Sequence, residues 1–197
     1  MNQTLRYYNE HANEFVDGTV SVDFEQVQDR FIKKLETGAC ILDFGCGSGR
    51  DSKYFLDRGF MVDATDGSKE LCRSATAYTG IPVRQMLFQD LDEREKYDGI
   101  WACSSILHLS KKELAPVFEK MVRALKEQGV IYTSFKYGTF EGMRNGRFFT
   151  DFTLESFKKF MEGIQGLEME EYWITGDVRP GREEEKWLNL VLRKTCL

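Results

Sequence analysis

The chain has 197 residues, of which 42% are hydrophobic and 30% charged, so it is long enough for one globular α/β domain with a sizeable core. The formal net charge of −5 argues against broad, nonspecific nucleic-acid binding, although a local basic pocket stays compatible with it.

None of the five cysteines forms a Cys-x-x-Cys pair, and the chain has two histidines, so we predict no metal site. The same cysteine usage predicts a reduced, cytoplasmic protein. The first residues contain no apolar signal core, and no long apolar run follows, which predicts no membrane partner.

The N-terminal region predicts two helices followed by a strand. Residues 5–16 have apolar side chains at helical spacing, and residues 22–36 repeat this pattern. A strand is expected over 39–44.

A glycine-rich turn follows that strand. The stretch 41–50 has the sequence ILDFGCGSGR, and a helical pattern comes next. Such a strand, loop and helix bring bare backbone close to a ligand. A dinucleotide fingerprint would place its third glycine where Arg50 stands, and no Gly-Lys-Ser/Thr follows, so loops for pyrophosphate or triphosphate are disfavoured.

The second predicted strand, 60–66, ends in Asp66. This residue comes about 20 positions after the glycine turn, which places a carboxylate at the carboxyl end of the strand, where ribose hydroxyls can bind it. The alternative role is a helix N-cap, which Ser68 could also provide. A helix is expected over 69–78.

The next elements continue the alternation of strand and helix. Strands are expected over 83–88 and 97–103, a helix begins after Ser110, and residues 127–129 form a turn before a strand at 130–135.

The C-terminal part predicts an irregular segment over 136–152, a helix over 153–162, and a hairpin of strands 167–175 and 186–193. If the first hairpin strand runs parallel to 130–135, four arginines converge at one end of the sheet. Guanidinium groups bind carboxylate or phosphate, whereas the alternative is surface ion pairing with residues 183–185. The candidate acceptor-binding residues are Arg144, Arg147, Arg179 and Arg182.

The whole pattern predicts a single α/β domain over 1–197 with a doubly wound, mostly parallel seven-stranded sheet and an antiparallel final strand. The stretch 43–49, DFGCGSG, resembles the first motif of class I S-adenosylmethionine-dependent methyltransferases. This resemblance implies a Rossmann-like methyltransferase fold, S-adenosyl-L-methionine as cofactor and an enzyme that transfers methyl groups. It divides the domain into an N-terminal helical lid (1–36), a cofactor-binding half (37–135) and an acceptor-side half (136–197).

The resemblance also implies the cofactor-binding residues. Asp43 would orient the loop towards the cofactor's ammonium group, and Asp90 is preferred over Gln89 as the adenine partner. An aromatic residue of the lid, Tyr7 or Tyr8, would lie near the methionine portion. The full predicted set is Tyr8, Asp43, Gly45, Cys46, Gly47, Asp66, Gly67, Gln89, Asp90 and Ser104.

The acceptor is expected to be a small, anionic molecule. His108 is the histidine near the predicted pocket and is a candidate catalytic base, with structural packing as its alternative role. A nucleotide or RNA base is the second acceptor class, and a non-catalytic S-adenosylmethionine-binding protein is the rival function. A nucleotide-dependent oxidoreductase is disfavoured by the glycine spacing.

Overall fold

The structure is a computed structural model that describes residues 3–179, 181–182 and 184–195. Cys196, one of the five cysteines, lies outside these residues. The described helices are α1 (Gln3–Glu10), α2 (Ala12–Asp17), α3 (Glu25–Ile32), α4 (Arg50–Asp57), α5 (Lys69–Thr79), α6 (Lys111–Ala124) and α7 (Leu154–Met161). The described strands are β1 (Cys40–Phe44), β2 (Met61–Asp66), β3 (Val83–Gln85), β4 (Tyr97–Ala102), β5 (Leu125–Lys136), β6 (Glu141–Arg144), β7 (Arg147–Thr150), β8 (Leu167–Gly176) and β9 (Lys186–Lys194). Short 3-10 helices lie at Phe88–Asp90 and Ile106–His108.

Seven strands form one sheet in the order β3-β2-β1-β4-β5-β9-β8. The first five are parallel neighbours, and β9 runs antiparallel to both β5 and β8. This topology confirms the predicted fold class. Because β8 is antiparallel to β9, it points in the same direction as β5. The loop after β8 therefore starts at the edge where β1, β2 and β4 end.

The central strands bury side chains on both faces of the sheet. Leu42 and Ile100 belong to one buried cluster, whereas their neighbours Ile41 and Trp101 belong to another. Alternate residues of a strand point to opposite faces, so helices cover both sides and the strands are almost continuously apolar.

The irregular segment predicted over 136–152 is instead a hairpin formed by β6 and β7. Its two-residue turn consists of Asn145 and Gly146, with φ values of 48° and 78°. Positive φ at both positions is typical of a type I′ turn, for which Asn-Gly is the strongest sequence signal. The prediction missed this signal, and the hairpin places Arg147 at the start of β7.

Two further boundaries differ from the predictions. The helix expected over 22–36 covers only Glu25–Ile32, and Asp23 Oδ1 accepts a hydrogen bond from the Glu25 amide at 3.0 Å just before it. The turn expected over 127–129 lies inside β5, where the pairing with β4 shifts register and Gln128 has a φ of 61°.

A bilayer-spanning helix needs a long apolar stretch, and none of the described helices meets this requirement.

Candidate functional site

A cavity of about 590 Å³ lies at the carboxyl edge of the sheet. Loops after β1, β2, β4 and β8 line it, together with α1 and β7. Ligands of doubly wound sheets bind at this edge. The predicted site residues that line the cavity are Tyr8, Gly45, Cys46, Gly47, Asp66, Gly67, Gln89, Ser104, His108, Arg144, Arg147, Arg179 and Arg182.

The glycine loop forms one wall of the cavity. Gly45 and Gly47 have φ values of 89° and 57°, which favour glycine. An added Cβ at Gly45 would lie 2.5 Å from Ser105 Cβ, and one at Gly47 would lie 2.9 Å from Phe15 Cε1. The Gly45 amide donates to the Thr65 carbonyl at 2.9 Å, which fixes the loop against β2. This bare-backbone cradle fits the S-adenosylmethionine that the resemblance implies.

Asp66 holds the loop from the end of β2. Its Oδ2 accepts from the Gly47 amide at 3.0 Å, and its Oδ1 accepts from the Ser68 amide at 2.8 Å. Burial raises the pKa of Asp66 to about 6, while these amides oppose the shift. The side-chain cap of α5 is Ser68, whose Oγ accepts from the Leu71 amide. The Asp66 carboxylate has about four lone-pair sites, so these amides leave it able to accept from a ribose hydroxyl.

The predicted adenine partners differ in their placement. Both side chains are exposed, but Gln89 lines the cavity and Asp90 does not. Both belong to the 3-10 helix Phe88–Asp90, in which successive side chains point about a third of a turn apart. The cavity lining thus includes Gln89 and omits Asp90, while the choice of adenine partner stays a prediction.

Asp43 is also absent from the cavity lining. It is buried behind the loop, where its Oδ2 accepts from Ser52 Oγ at 2.5 Å. Burial, together with the nearby Asp51, raises the pKa of Asp43 to about 8. Asp43 thus links β1 to α4 and supports the loop from behind, while its predicted role of orienting the loop towards the cofactor's ammonium group stays a prediction.

Arg50 and Asp51 line the cavity but were missing from the predicted set. Asp51 accepts hydrogen bonds from Arg50 Nε at 2.7 Å, Gln28 Nε2 at 2.6 Å and Trp101 Nε1 at 2.8 Å. The sequence signal was a pair of opposite charges directly after the glycine loop. Asp51 lies in the first turn of α4, whose N-cap position is taken by Gly49.

Ser104 occupies a strained position at the end of β4. Its φ of 51° lies in the left-handed region, which costs free energy for a non-glycine residue. The Ser104 amide donates to Ser134 Oγ at 2.9 Å, and the two hydroxyl oxygens are 3.2 Å apart. Residues from β4 and β5 thus meet at the floor of the cavity.

His108 and Tyr8 form a hydrogen-bonded pair on another wall. Tyr8 Oη lies 2.8 Å from His108 Nε2, and His108 Nδ1 lies 2.6 Å from the Phe148 carbonyl oxygen. Burial lowers the pKa of His108 to about 4 and raises the pKa of Tyr8. The nitrogen that would take a proton from an acceptor is therefore already engaged by Tyr8.

The four predicted arginines do line one cavity, but their partners differ. Arg144 pairs with Asp151 at 2.8 Å, and Arg179 pairs with Asp177 at 2.5 Å. Arg147 has no acidic partner within 4 Å among the described residues.

The predicted alternative of ion pairing with residues 183–185 holds only for part of this group. Arg182 Nε lies 3.8 Å from Glu185 Oε1, while Glu183 lies outside the described residues. Lys136 also pairs with Glu185. Burial lowers the pKa of Lys136 to about 8, the nearby Asp177 opposes this shift, and the neighbouring arginines add to it.

Groups of three or more histidine, cysteine or acidic side chains that could hold a metal ion do not occur among the described residues.

The comparisons with known proteins bear on this site. Residues 41–129 match the family model described as "Methyltransferase domain". Over this segment, which is less than half of the chain, the sequence is similar to methyltransferase domains. The match confirms the predicted family and the predicted cofactor, S-adenosyl-L-methionine. The methyltransferase segment contains the glycine loop, Asp66, Gln89, Ser104 and His108.

One curated relative is YqeM of Bacillus subtilis (strain 168), which is provisionally named a methyltransferase. It is 31% identical over 108 residues, which cover 49% of this chain and 43% of that protein. The match therefore spans less than half the length of this relative.

Solved methyltransferase structures share the fold. A Burkholderia thailandensis 1,6-didemethyltoxoflavin-N1-methyltransferase with bound S-adenosylhomocysteine superposes with a TM-score of 0.75 at 20% identity, over 98% of this chain and 85% of that one. A SAM-dependent methyltransferase from Methanosarcina mazei superposes with a TM-score of 0.75 at 15% identity, over 89% of this chain and 100% of that one. Likeness at such low identity establishes the shared fold alone.

Proposed function

We propose that this chain, as one domain of residues 1–197, transfers a methyl group from S-adenosylmethionine to a small, anionic acceptor. The cofactor supplies an activated methyl group on a positively charged sulfonium. The methyltransferase segment and the bare-backbone cradle support the cofactor part of the proposal. The electropositive opposite wall supports the acceptor part.

In this proposal the cofactor lies along the glycine loop. Gly45, Cys46 and Gly47 contribute backbone, and Asp66 accepts hydrogen bonds from the ribose hydroxyls. Gln89 and Gly67 border the adenine end. Gly67 packs closely against α1 there, because an added Cβ would lie 2.7 Å from Leu5 Cδ2.

The main task of the protein is then alignment. Ser104, Tyr8 and His108 surround the space between the two walls and fix where an acceptor atom can approach. Methyl transfer gains most from holding the nucleophile in line and from excluding water. With its Nε2 bonded to Tyr8, His108 orients that side chain instead of accepting a proton directly.

The observation that supports an anionic acceptor best is the state of Arg147. It lines the cavity without an acidic partner among the described residues, and its Nε is buried without a hydrogen-bond acceptor. Buried donors that lack a partner cost about 1–3 kcal/mol, more when charged, so a ligand anion would remove an existing penalty.

A transfer assay tests this proposal. The protein is incubated with methyl-labelled S-adenosylmethionine and the small-molecule fraction of a cell extract, divided by anion exchange into retained and unretained pools. We expect label in a retained compound, which mass spectrometry then identifies. Label only in the unretained pool would contradict the anionic acceptor.

Two other outcomes separate the rival functions. Cofactor binding without transfer to any fraction would favour the non-catalytic binding protein. Transfer into added RNA, with binding that weakens steeply as salt rises, would favour the nucleic-acid substrate, against which the net charge of −5 argues.

A further inference from the structure

The tautomer of His108 follows from its contacts. Nδ1 lies 2.6 Å from the Phe148 carbonyl oxygen, which can only accept a hydrogen bond. Nδ1 must therefore carry the proton, and Nε2 of the neutral ring presents a lone pair.

That lone pair determines the direction of the Tyr8 hydroxyl. Tyr8 Oη is 2.8 Å from Nε2, so the phenolic O–H donates to His108. A phenol has one proton. Towards the cavity, which both residues line, the Tyr8 oxygen can consequently accept a hydrogen bond but cannot donate one.

Arg147 stands beside this oxygen. Its Nη1 donates a hydrogen bond to Tyr8 Oη at 3.4 Å, which leaves that oxygen one further lone pair for a ligand, and its guanidinium lies over the Tyr7 ring at 4.6 Å. Arg144 and Arg179, in contrast, are each paired with an aspartate. The cavity thus places a cation that lacks an acidic partner among the described residues next to an oxygen that can only accept.

We propose that this pair selects a ligand by two adjacent features: a negatively charged oxygen for Arg147, and an N–H or O–H donor beside it for Tyr8. The inference rests on the proposed function and names the chemical class of the acceptor. His108 is a positioning residue here, because it acts on the ligand only through Tyr8.

Matched probes of one shape test the two features separately. Ortho-aminobenzoate has both the charge and the donor, ortho-methylbenzoate has only the charge, and ortho-aminobenzamide has only the donor. Binding of each is measured by calorimetry to the protein saturated with S-adenosylhomocysteine. We expect ortho-aminobenzoate to bind about three- to tenfold more tightly than ortho-methylbenzoate, and ortho-aminobenzamide to bind most weakly.

Variants then assign each feature to a residue. Tyr8→Phe should remove the preference for the amino group and leave ortho-methylbenzoate affinity within about twofold, as a neutral hydrogen bond predicts. Arg147→Gln should weaken both acids about tenfold or more. Tyr78→Phe and Arg73→Gln make the same chemical changes at exposed positions and should bind all probes like the unaltered protein.

Two His108 variants provide the most specific test. His108→Phe cannot accept the Tyr8 proton, so the hydroxyl can turn to donate to the carboxylate that both acids carry. The advantage of ortho-aminobenzoate over ortho-methylbenzoate should then shrink to about twofold or less. His108→Gln offers an oxygen near the Nε2 position and should keep the original preference, a difference between the two variants that loss of packing alone would not produce.

The outcomes distinguish this inference from the proposed function. Failure of S-adenosylhomocysteine to bind would contradict the proposed function itself. Three outcomes with normal cofactor binding would overturn the inference alone. They are equal affinity for the two acids, no measurable probe binding at low millimolar concentration, and an unchanged preference for the amino group in Tyr8→Phe.

Discussion

The two walls of the cavity are built in different ways. The wall that we propose for the cofactor, called the cofactor wall, uses mainly backbone and one carboxylate, taken from residues 45–67 that are close in sequence. The wall that we propose for the acceptor, called the acceptor wall, uses side chains from distant segments: Tyr8 of α1, His108 after β4 and Arg147 of β7. A motif can encode the first wall locally, whereas the second exists only after the chain has folded.

The largest expected effect concerns the backbone of the cofactor wall. Gly45→Ala should lower the free energy of unfolding by about 2–4 kcal/mol and abolish S-adenosylhomocysteine binding, because left-handed strain adds to a clash with Ser105. Gly59 has a similar φ of 84° but nothing within 4 Å of an added Cβ. Gly59→Ala should therefore lose only about 1–2 kcal/mol in urea denaturation. Equal losses would show that the close approach at Gly45 is unimportant.

The second-largest expected effect concerns Asp66, the carboxylate of the same wall. Asp66→Ala should weaken S-adenosylhomocysteine binding by about 1.5–3 kcal/mol, the loss expected of charged hydrogen bonds. Asp63, on the same strand, pairs with Lys96 away from the cavity and provides the control. Unchanged calorimetric affinity in a folded Asp66→Ala protein would refute the ribose assignment.

Sequence analysis predicts most of the cofactor wall and most strands of the sheet. Gly45, Gly47 and Asp66 are recognisable because their spacing reflects a local strand, loop and helix. Asp90 was preferred over Gln89 because spacing does not reveal which side chain of a short 3-10 helix faces inwards.

The acceptor wall was less accessible to sequence analysis. The arginines were found, but their pairing was not, because Asp151 and Asp177 meet them only through the hairpin and the loop after β8. The contact between Tyr8 and His108 joins residues 100 positions apart, and no local pattern predicts it. The hairpin itself was predictable from Asn145-Gly146 and was overlooked.

A substitution in the acceptor wall should impair turnover without changing cofactor affinity. Arg147→Gln should lower kcat/KM for an anionic acceptor about 10- to 100-fold, since a charged hydrogen bond is lost, while the Kd of S-adenosylhomocysteine changes less than about twofold. Arg73→Gln, whose side chain is 80% exposed, is the charge-matched control. A parallel loss of cofactor affinity would mean that Arg147 belongs to the cofactor site.

The smallest effect concerns pH and His108. Its folded-state pKa of about 4 lies below its ordinary value of 6.5, so the unfolded chain binds more protons between these limits. The free energy of unfolding that His108 contributes is therefore present above about pH 6.5 and lost as the pH falls towards 4.

This contribution is measured as a difference between two proteins, because Asp66, with a raised pKa of about 6, shifts stability in the opposite direction over part of this range. We expect urea midpoints of the unaltered protein to fall more steeply with acid than those of His108→Gln. Parallel curves would show that His108 is not held neutral.

Calorimetric titration of the unaltered protein with S-adenosylmethionine, S-adenosylhomocysteine and NAD⁺ tests the central claim most directly. The account predicts one site for each of the first two ligands and no heat of binding for NAD⁺. No heat of binding with either S-adenosylmethionine or S-adenosylhomocysteine, or saturable binding of NAD⁺ in their place, would contradict it.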